Sequence, residues 1–269
     1  MIKYIKKIFQ IKTDILFVRM ATIIGHCGVV YSLFIFNSFN FLLGLLSAFI
    51  VAGFVDVGYH RFYSHRSFKA SKLFEILTVI CALPAAIGSP IGWSGLHRYH
   101  HKHSDTKEDP HSPNNLSLIE MLTLEYNYSK FERTTFLIKD FLKDKWHKIL
   151  HVYYFDLVFL LYGFILIIDI NAFIIICCYP VVYNYWTYIV SNYFEHINFP
   201  FYEQPYKTND NSINSILLNW GTLGYTGLHN NHHANPGSWR FDTGISWWEF
   251  DSGRWILTLF SKLKLVSLK

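Results

Sequence analysis

Nine of the 14 histidines in this 269-residue chain fall into four tight groups. His60 and His65 form the first, and His97, His100 and His101 the second; His196 follows Asn192 by four residues, and His229, His232 and His233 repeat the second spacing. Neutral imidazole is the commonest metal ligand in proteins and suits iron, zinc, copper or nickel. On a helix, positions i, i+3 and i+4 lie within about 100° of one another, so each His-x-x-His-His group projects three rings from one face. Asn192 and His196 also share a helix face by spacing. His60 and His65 diverge by about 140° on an ideal α-helix, so either the preceding helix ends near His60 or the two rings serve different metals. An isolated histidine is usually a hydrogen-bonded core residue, and His26, His103, His111, His147 and His151 are read that way. The repeated groups are not. A zinc site takes about four ligands and an octahedron about six, so nine imidazoles point to two metal ions.

The rest of the chain must bring these groups together, and its composition favours a membrane scaffold. Hydrophobic residues make up 51%, aromatics 19% and charged residues only 16%, too few charges to solvate an ordinary surface. Four long apolar runs carry the excess, with spans expected at about 20–36, 41–59, 153–168 and 172–194. Residues 37–40 and 169–171 form tight turns, and Pro180 is a candidate kink. A basic amphipathic helix precedes the first span, with Ile2, Ile5, Ile8 and Phe9 on one face. A fifth apolar stretch, 73–93, is broken by Glu75, Pro84, Ser89, Pro90 and glycines; a crossing there would separate the first two histidine groups, so it is read as a helix pair off the membrane path. Residues 60–152 and 195–269 then form a polar, helical cap. The architecture expected is all-α: one membrane domain over 1–269, with four spanning helices under a cap that holds the metals.

Five Lys or Arg precede the first span, thirteen lie between the second and third, and six follow the fourth, which accounts for all 24. The positive-inside rule therefore places both termini and all four histidine groups on the cytoplasmic side, in an inner or endoplasmic reticulum membrane. No basic helix or basic-aromatic repeat supports a nucleic-acid partner. Cys27, Cys81, Cys177 and Cys178 lack CxxC spacing and lie in apolar runs, as small buried hydrophobes do. No cleavable signal peptide is expected.

The order His-x4-His, His-x-x-His-His, Asn-x3-His, His-x-x-His-His resembles the membrane-bound fatty acyl desaturases of the acyl-CoA delta-9 (stearoyl-CoA) type. Tyr59 to Arg66 is similar to that family's first box, and His97 to Pro113, with Lys102, Ser104, Asp105, Asp109, Pro110 and His111, to its second. Asp140, Asp144, His151, Tyr153 and Tyr154 match a pattern ahead of its third span. His229 to Ala234, with Arg240, Phe241, Trp247, Trp248 and Asp251, matches its C-terminal box; the resemblance runs over about 20–258.

That resemblance implies a di-iron centre held by the nine histidines, with Asn192 beside one metal through a water. It implies O2-dependent insertion of a cis double bond into a long acyl chain lying in a bent tunnel. Electrons would come from a separate b-type cytochrome or ferredoxin with its reductase. The substrate would be an acyl-CoA, an acyl-carrier protein or a lipid. Unactivated methylenes have no acidic proton, so an oxidising metal-oxygen species, not acid-base catalysis, fits the same residues. Acyl hydroxylation or ketolation on the same scaffold is the nearest alternative. A non-enzymatic metal carrier would place ligands along the spans instead.

Two positions depart from the family pattern. Where relatives often carry Gly-Glu-Gly, this chain has Tyr225-Thr226-Gly227. Asp56 stands one turn before His60, where a neutral hydroxyl residue is more usual. A carboxylate costs about 2.5–3.5 kcal/mol near the middle of a span, so it needs a partner. Either Asp56 accepts a hydrogen bond from His60 and orients it, or it snorkels to the surface. Ala48 and Ala52 share its helix face and are candidate lining for the deep tunnel. Arg61, Arg66, Lys69, Lys72 and Lys102 are read either as a cationic surface suited to a head group or, equally, as membrane-surface charges.

Overall fold

The computed structural model describes residues 2–125 and 136–268, with side chains from residue 15 onward. The amphipathic face expected on Ile2, Ile5, Ile8 and Phe9 lies outside the described side chains. The chain is mostly helical, as expected, and divides into two compact units. Among the described residues, four helices are long and apolar enough to cross a membrane: Ile15–Phe34, Ser38–Ser64, Lys145–Ile168 and Ile170–His196.

The first unit comprises Met1–Ala52, Ala82–Trp93 and Ile138–Tyr185. Its first helix, α1 (Ile2–Phe34), leads through a short turn into α2 (Ser38–Phe54). Asn37 starts α2, accepting the Asn40 N–H on its side chain at 3.0 Å, so this helix begins earlier than the apolar run alone suggests. Further on, α7 (Lys145–Ile168) opens on the Asp144 carboxylate, which accepts the Trp146 N–H at 2.8 Å. Asp169 caps the next helix in the same way, accepting the Ala172 N–H at 2.7 Å. That helix, α8 (Ile170–Phe173), passes through a π-helical turn at Ile174–Cys178 into α9 (Tyr179–Asn192). Pro180, which lacks an N–H, follows directly on that turn.

Ala48, Ile165, Phe173, Ile174, Cys177, Cys178 and Tyr179 form this unit's core. The outward side is equally apolar. Phe159, Leu160, Phe164 and Ile167 of α7 are each at least 65% exposed, a face that suits hydrocarbon and not water. Cys27 lies on an exposed position of α1 instead of the buried one expected for it, because the helix presents that side outward.

The second unit comprises Gly53–Cys81, Ser94–Leu137 and Trp186–Lys269. It starts with the π-helical segment Val55–Ser64, which continues α2 without a break. The helix therefore does not stop at His60. β1 (Lys69–Ala70) pairs antiparallel with the C-terminal β4 (Val266–Ser267). α3 (Lys72–Ala82) and α4 (Pro90–His103) form a helix pair, bent by 84° at a break where Ala86 and Gly88 take positive φ, and together they are apolar enough to count as a further, broken span. Pro90 begins α4, and Ser89 accepts the Gly92 N–H on its hydroxyl at 3.2 Å. β2 (Tyr202–Glu203) pairs with β3 (Asn214–Ser215), which in turn bridges Leu228 just before α11 (His229–Ala234). α12 (Ser252–Lys262) packs on the π-helical segment. Gly253 permits that approach: a Cβ there would fall 2.1 Å from the Asp56 carboxylate and 2.5 Å from the Arg61 guanidinium.

Candidate metal centre

All nine grouped histidines lie in the second unit, and they sort into two clusters of ligand-ready atoms. His60, His65, His97, His101 and His232 form one; His100, His196, His229 and His233 form the other. Each His-x-x-His-His group is therefore shared. His97 and His101 serve the first cluster and His100 the second; His232 serves the first and His229 and His233 the second. Helix geometry explains the split. Positions i and i+4 differ by only about 40° in direction, whereas i+3 points about 60° to the other side of i.

The π-helix settles the first group. Its i→i+5 repeat returns residues five apart to nearly the same face. His60 and His65 consequently enter one cluster, 5.1 Å between ring centroids, and neither of the alternatives drawn from α-helical spacing holds. Arg98 fastens α4 to the end of this segment, donating to the Ser64 carbonyl at 2.7 Å and the Tyr63 carbonyl at 2.6 Å.

Within the five-histidine cluster, Nε2 atoms of His60 and His232, His232 and His101, His101 and His97, and His97 and His65 stand 2.8–3.0 Å apart. Metal–nitrogen bonds of about 2.0–2.1 Å put neighbouring ligands of an octahedron about 3.0 Å apart. The spacing is that of ligands around one ion. In the second cluster the His196 and His229 Nε2 atoms are 3.0 Å apart. His100 Nε2 and His233 Nε2 are buried there without a hydrogen-bond partner among the described residues. Such buried nitrogens are costly unless something fills the position they face, and a metal cation does.

Protonation favours the same reading. Burial, followed by neighbouring imidazoles, holds His65, His97, His101, His229 and His232 well below the usual imidazole range. Burial also lowers His233, to about 4, against the opposing pull of Asp210. These rings are neutral at pH 7 and have a lone pair to give.

Carboxylates select which nitrogen gives it. In the four-histidine cluster every Nδ1 meets an acid: His100 donates to Asp109 at 3.0 Å, His196 to Asp105 at 2.8 Å, His233 to Asp210 at 2.7 Å, and His229 lies 3.2 Å from Glu195. Each Nε2 is left to face the centre. The acids are themselves held. Asp105 accepts the Asn211 N–H at 2.7 Å, Asp109 the Asp105 N–H at 2.8 Å, and Asp210 the Ser212 N–H at 3.1 Å. Glu195 is completely buried, and the same oxygen that meets His229 accepts the Thr226 hydroxyl. The acid absent at position 226 thus enters from position 195, and the threonine becomes its donor.

At the five-histidine cluster, Asp56 Oδ1 lies 3.2 Å from His60 Nδ1, and Asp56 is buried, not snorkelling. Arg61 holds both of its oxygens, at 3.2 and 3.1 Å from Nε, and reaches Asp251 at 2.8 and 2.7 Å. Arg61 is fully buried and lies 3.8 Å over the Phe241 ring, so it is not part of the cationic surface expected from the sequence. Arg66, Lys69 and Lys102 are exposed, and Lys72 is exposed but paired with Glu75 at 2.6 Å.

A family model described as fatty acid desaturase matches residues 8–262. The chain belongs to the fatty acid desaturase family. It is an oxidoreductase, and its two histidine clusters could each hold a metal ion. Among its relatives is an sn-1 stearoyl-lipid 9-desaturase of Anabaena variabilis, 31% identical over 232 residues, 84% of this chain and 83% of the relative. The Delta-9 acyl-lipid desaturase 1 of Arabidopsis thaliana is 30% identical over 249 residues, 87% of this chain and 77% of the relative. The Acyl-CoA 5-desaturase AL21 of Anemone leveillei is 31% identical over 225 residues, 78% of this chain and 65% of the relative.

The remaining site candidates fall as follows in the desaturase. α9 ends at Asn192, and His196 sits on a separate 3-10 turn, Phe194–His196, so the two do not share one continuous helix face. Asn192 donates from Nδ2 to the Tyr188 carbonyl at 2.9 Å. Ala48 and Ala52 are both buried, Ala48 in the core of the first unit. Sequence reasoning passed over the roles of Asp105, Asp109, Glu195 and Asp210. The available signal was chemical: a metal-binding imidazole needs an acceptor for its other nitrogen, and acids are scarce in this chain.

Proposed function

We propose that this desaturase inserts a cis double bond, in a delta-9-like position, into a long-chain acyl lipid or acyl thioester, with two irons at the two histidine clusters and O2 as co-substrate. The observation that carries this reading is the convergence of nine imidazoles into two separate ligand sets. Iron and oxygen supply the oxidising power that removing hydrogens from an unactivated methylene requires. The chain's own residues do the rest. The Nδ1–carboxylate pairs hold His60, His100, His196, His229 and His233 each in one tautomer, and apolar walls keep one part of a featureless chain in register. Ala48 and Ala52 are assigned to the wall of the acyl tunnel. Asn192 is assigned to one metal through a water, with its Oδ1 as acceptor. Asp56 orients His60.

The acyl-lipid and acyl-CoA relatives support both head-group classes, and exposed Arg66, Lys69 and Lys102 suit an anionic one. Electrons come, in this reading, from a separate b-type cytochrome or ferredoxin with its reductase. The whole chain acts as one membrane domain, with site and termini cytoplasmic by the charge distribution. Expression in a desaturase-deficient host, followed by mapping of new double bonds by gas chromatography and mass spectrometry, tests it. A new cis unsaturation at a fixed position is expected. A hydroxylated or unchanged acyl pool, with folded and iron-loaded protein present, refutes it.

A further inference from the structure

The two ligand clusters are built differently. The four-histidine cluster has an acid on every Nδ1, and three of its four rings are buried. Four of the five rings in the other cluster are only partly buried. Its His232 Nδ1 is buried with no hydrogen-bond partner among the described residues. Asp56, the acid that meets its His60, is bound along its whole carboxylate edge by Arg61.

These differences act in one direction. A carboxylate accepting from Nδ1 makes Nε2 a stronger ligand and places negative charge near the cation; loss of one such partner costs about 10–100-fold in metal affinity. Three of the acids, Asp105, Asp109 and Asp210, also accept backbone N–H groups, so they are fixed before any metal arrives. At the five-histidine cluster Asp56 divides its carboxylate between His60 and Arg61, whose other partner is Asp251. Partial exposure there gives a chelator access to the metal.

We propose that the two metal positions are unequal, with the four-histidine position holding its ion the more tightly and the five-histidine position exchanging its ion first. This rests on the reading that both clusters hold metal, and concerns how this chain's residues divide the affinity between them.

The test uses the full-length protein in detergent, loaded with 57Fe(II) and equilibrated against a series of EDTA concentrations. Retained iron is measured by elemental analysis and the two populations by Mössbauer spectroscopy. Two removal steps separated by at least about 10-fold in chelator are expected. Asp109→Asn and Asp210→Asn should each move the later step by about 10–100-fold towards the earlier, while Asp56→Asn should move only the earlier. His65→Ala should abolish the earlier step, and His233→Ala should weaken the later one. Two irons leaving in one step, or a later step that responds to Asp56→Asn and not to Asp109→Asn or Asp210→Asn, would overturn the inference and leave the proposed function standing. A folded protein that takes up no iron would overturn both.

Discussion

Replacing Arg61 by methionine is the sharpest test of how the cap is held together. Arg61 is fully buried, donates to Asp56 and Asp251, and gives a further hydrogen bond to the Trp239 carbonyl at 2.8 Å. Asp251 also starts α12, accepting the Arg254 N–H at 3.0 Å, and it takes the Phe241 N–H at 2.7 Å. Methionine preserves much of the volume and leaves two buried carboxylates facing each other without a cation. Breaking a buried pair from one side costs about 3–5 kcal/mol. The lost stacking over Phe241 adds roughly 1–2 kcal/mol. At about 2–4 °C per kcal/mol for a chain of this size, the melting temperature should fall by about 8–28 °C. Tryptophan fluorescence during thermal unfolding in detergent reads this directly, with Asp56→Asn and Asp251→Asn added to the same variant as the control. Removing the stranded charges should restore part of the loss. A shift below about 3 °C for Arg61→Met, with iron content unchanged, would refute the idea that this triad ties α12 to the π-helix.

Asp56→Asn should lower both iron content and turnover, since His60 loses its orienting acceptor; unchanged values in elemental analysis and product assays would exclude that role. Ala48→Tyr should shift the product profile towards shorter acyl chains, read by gas chromatography, and an unchanged profile would remove Ala48 from the tunnel wall. In metal-free protein, His233, lowered to about 4, and His111, lowered to about 3, both chiefly by burial, resist protonation that the unfolded chain accepts near 6.5. The unfolded state therefore binds more protons below that pH, and stability should fall on acidification by up to about 1.4 kcal/mol per pH unit for each group. Melting temperatures in EDTA across pH 7 to 4 should drop steadily, and a flat profile would contradict this. Chelation should abolish desaturation, and Fe(II) should restore it, as measured by conversion of a labelled acyl substrate.

Much of the site was legible because metal chemistry leaves residue types and spacings that local geometry can interpret. The His-x-x-His-His repeats marked three rings on one helix face, but not their division between two clusters, which becomes visible only once the other histidine groups pack around them. The apolar runs marked the candidate spans for the same reason, since a hydrocarbon-facing helix has little choice of residue. What escaped depends on tertiary context. The switch from α to π at Val55 has no marker in the sequence, yet it decides that His60 and His65 work together. Arg61 looked like surface charge because its partner Asp251 is 190 residues away. Glu195 was hidden by position: an acid beside His196 only becomes the acceptor for His229 once the loop carrying Thr226 folds over it.

The sharing of each His-x-x-His-His group between both clusters makes the helix backbone a yoke for the two ligand sets. Because α4 and α11 each contribute to both, the gap between the sets follows the pitch of a helical turn. Inserting or deleting one residue between His97 and His101, or between His229 and His233, would hand a ring from one cluster to the other, not merely loosen it. The spacing inside each box decides which cluster a ring joins.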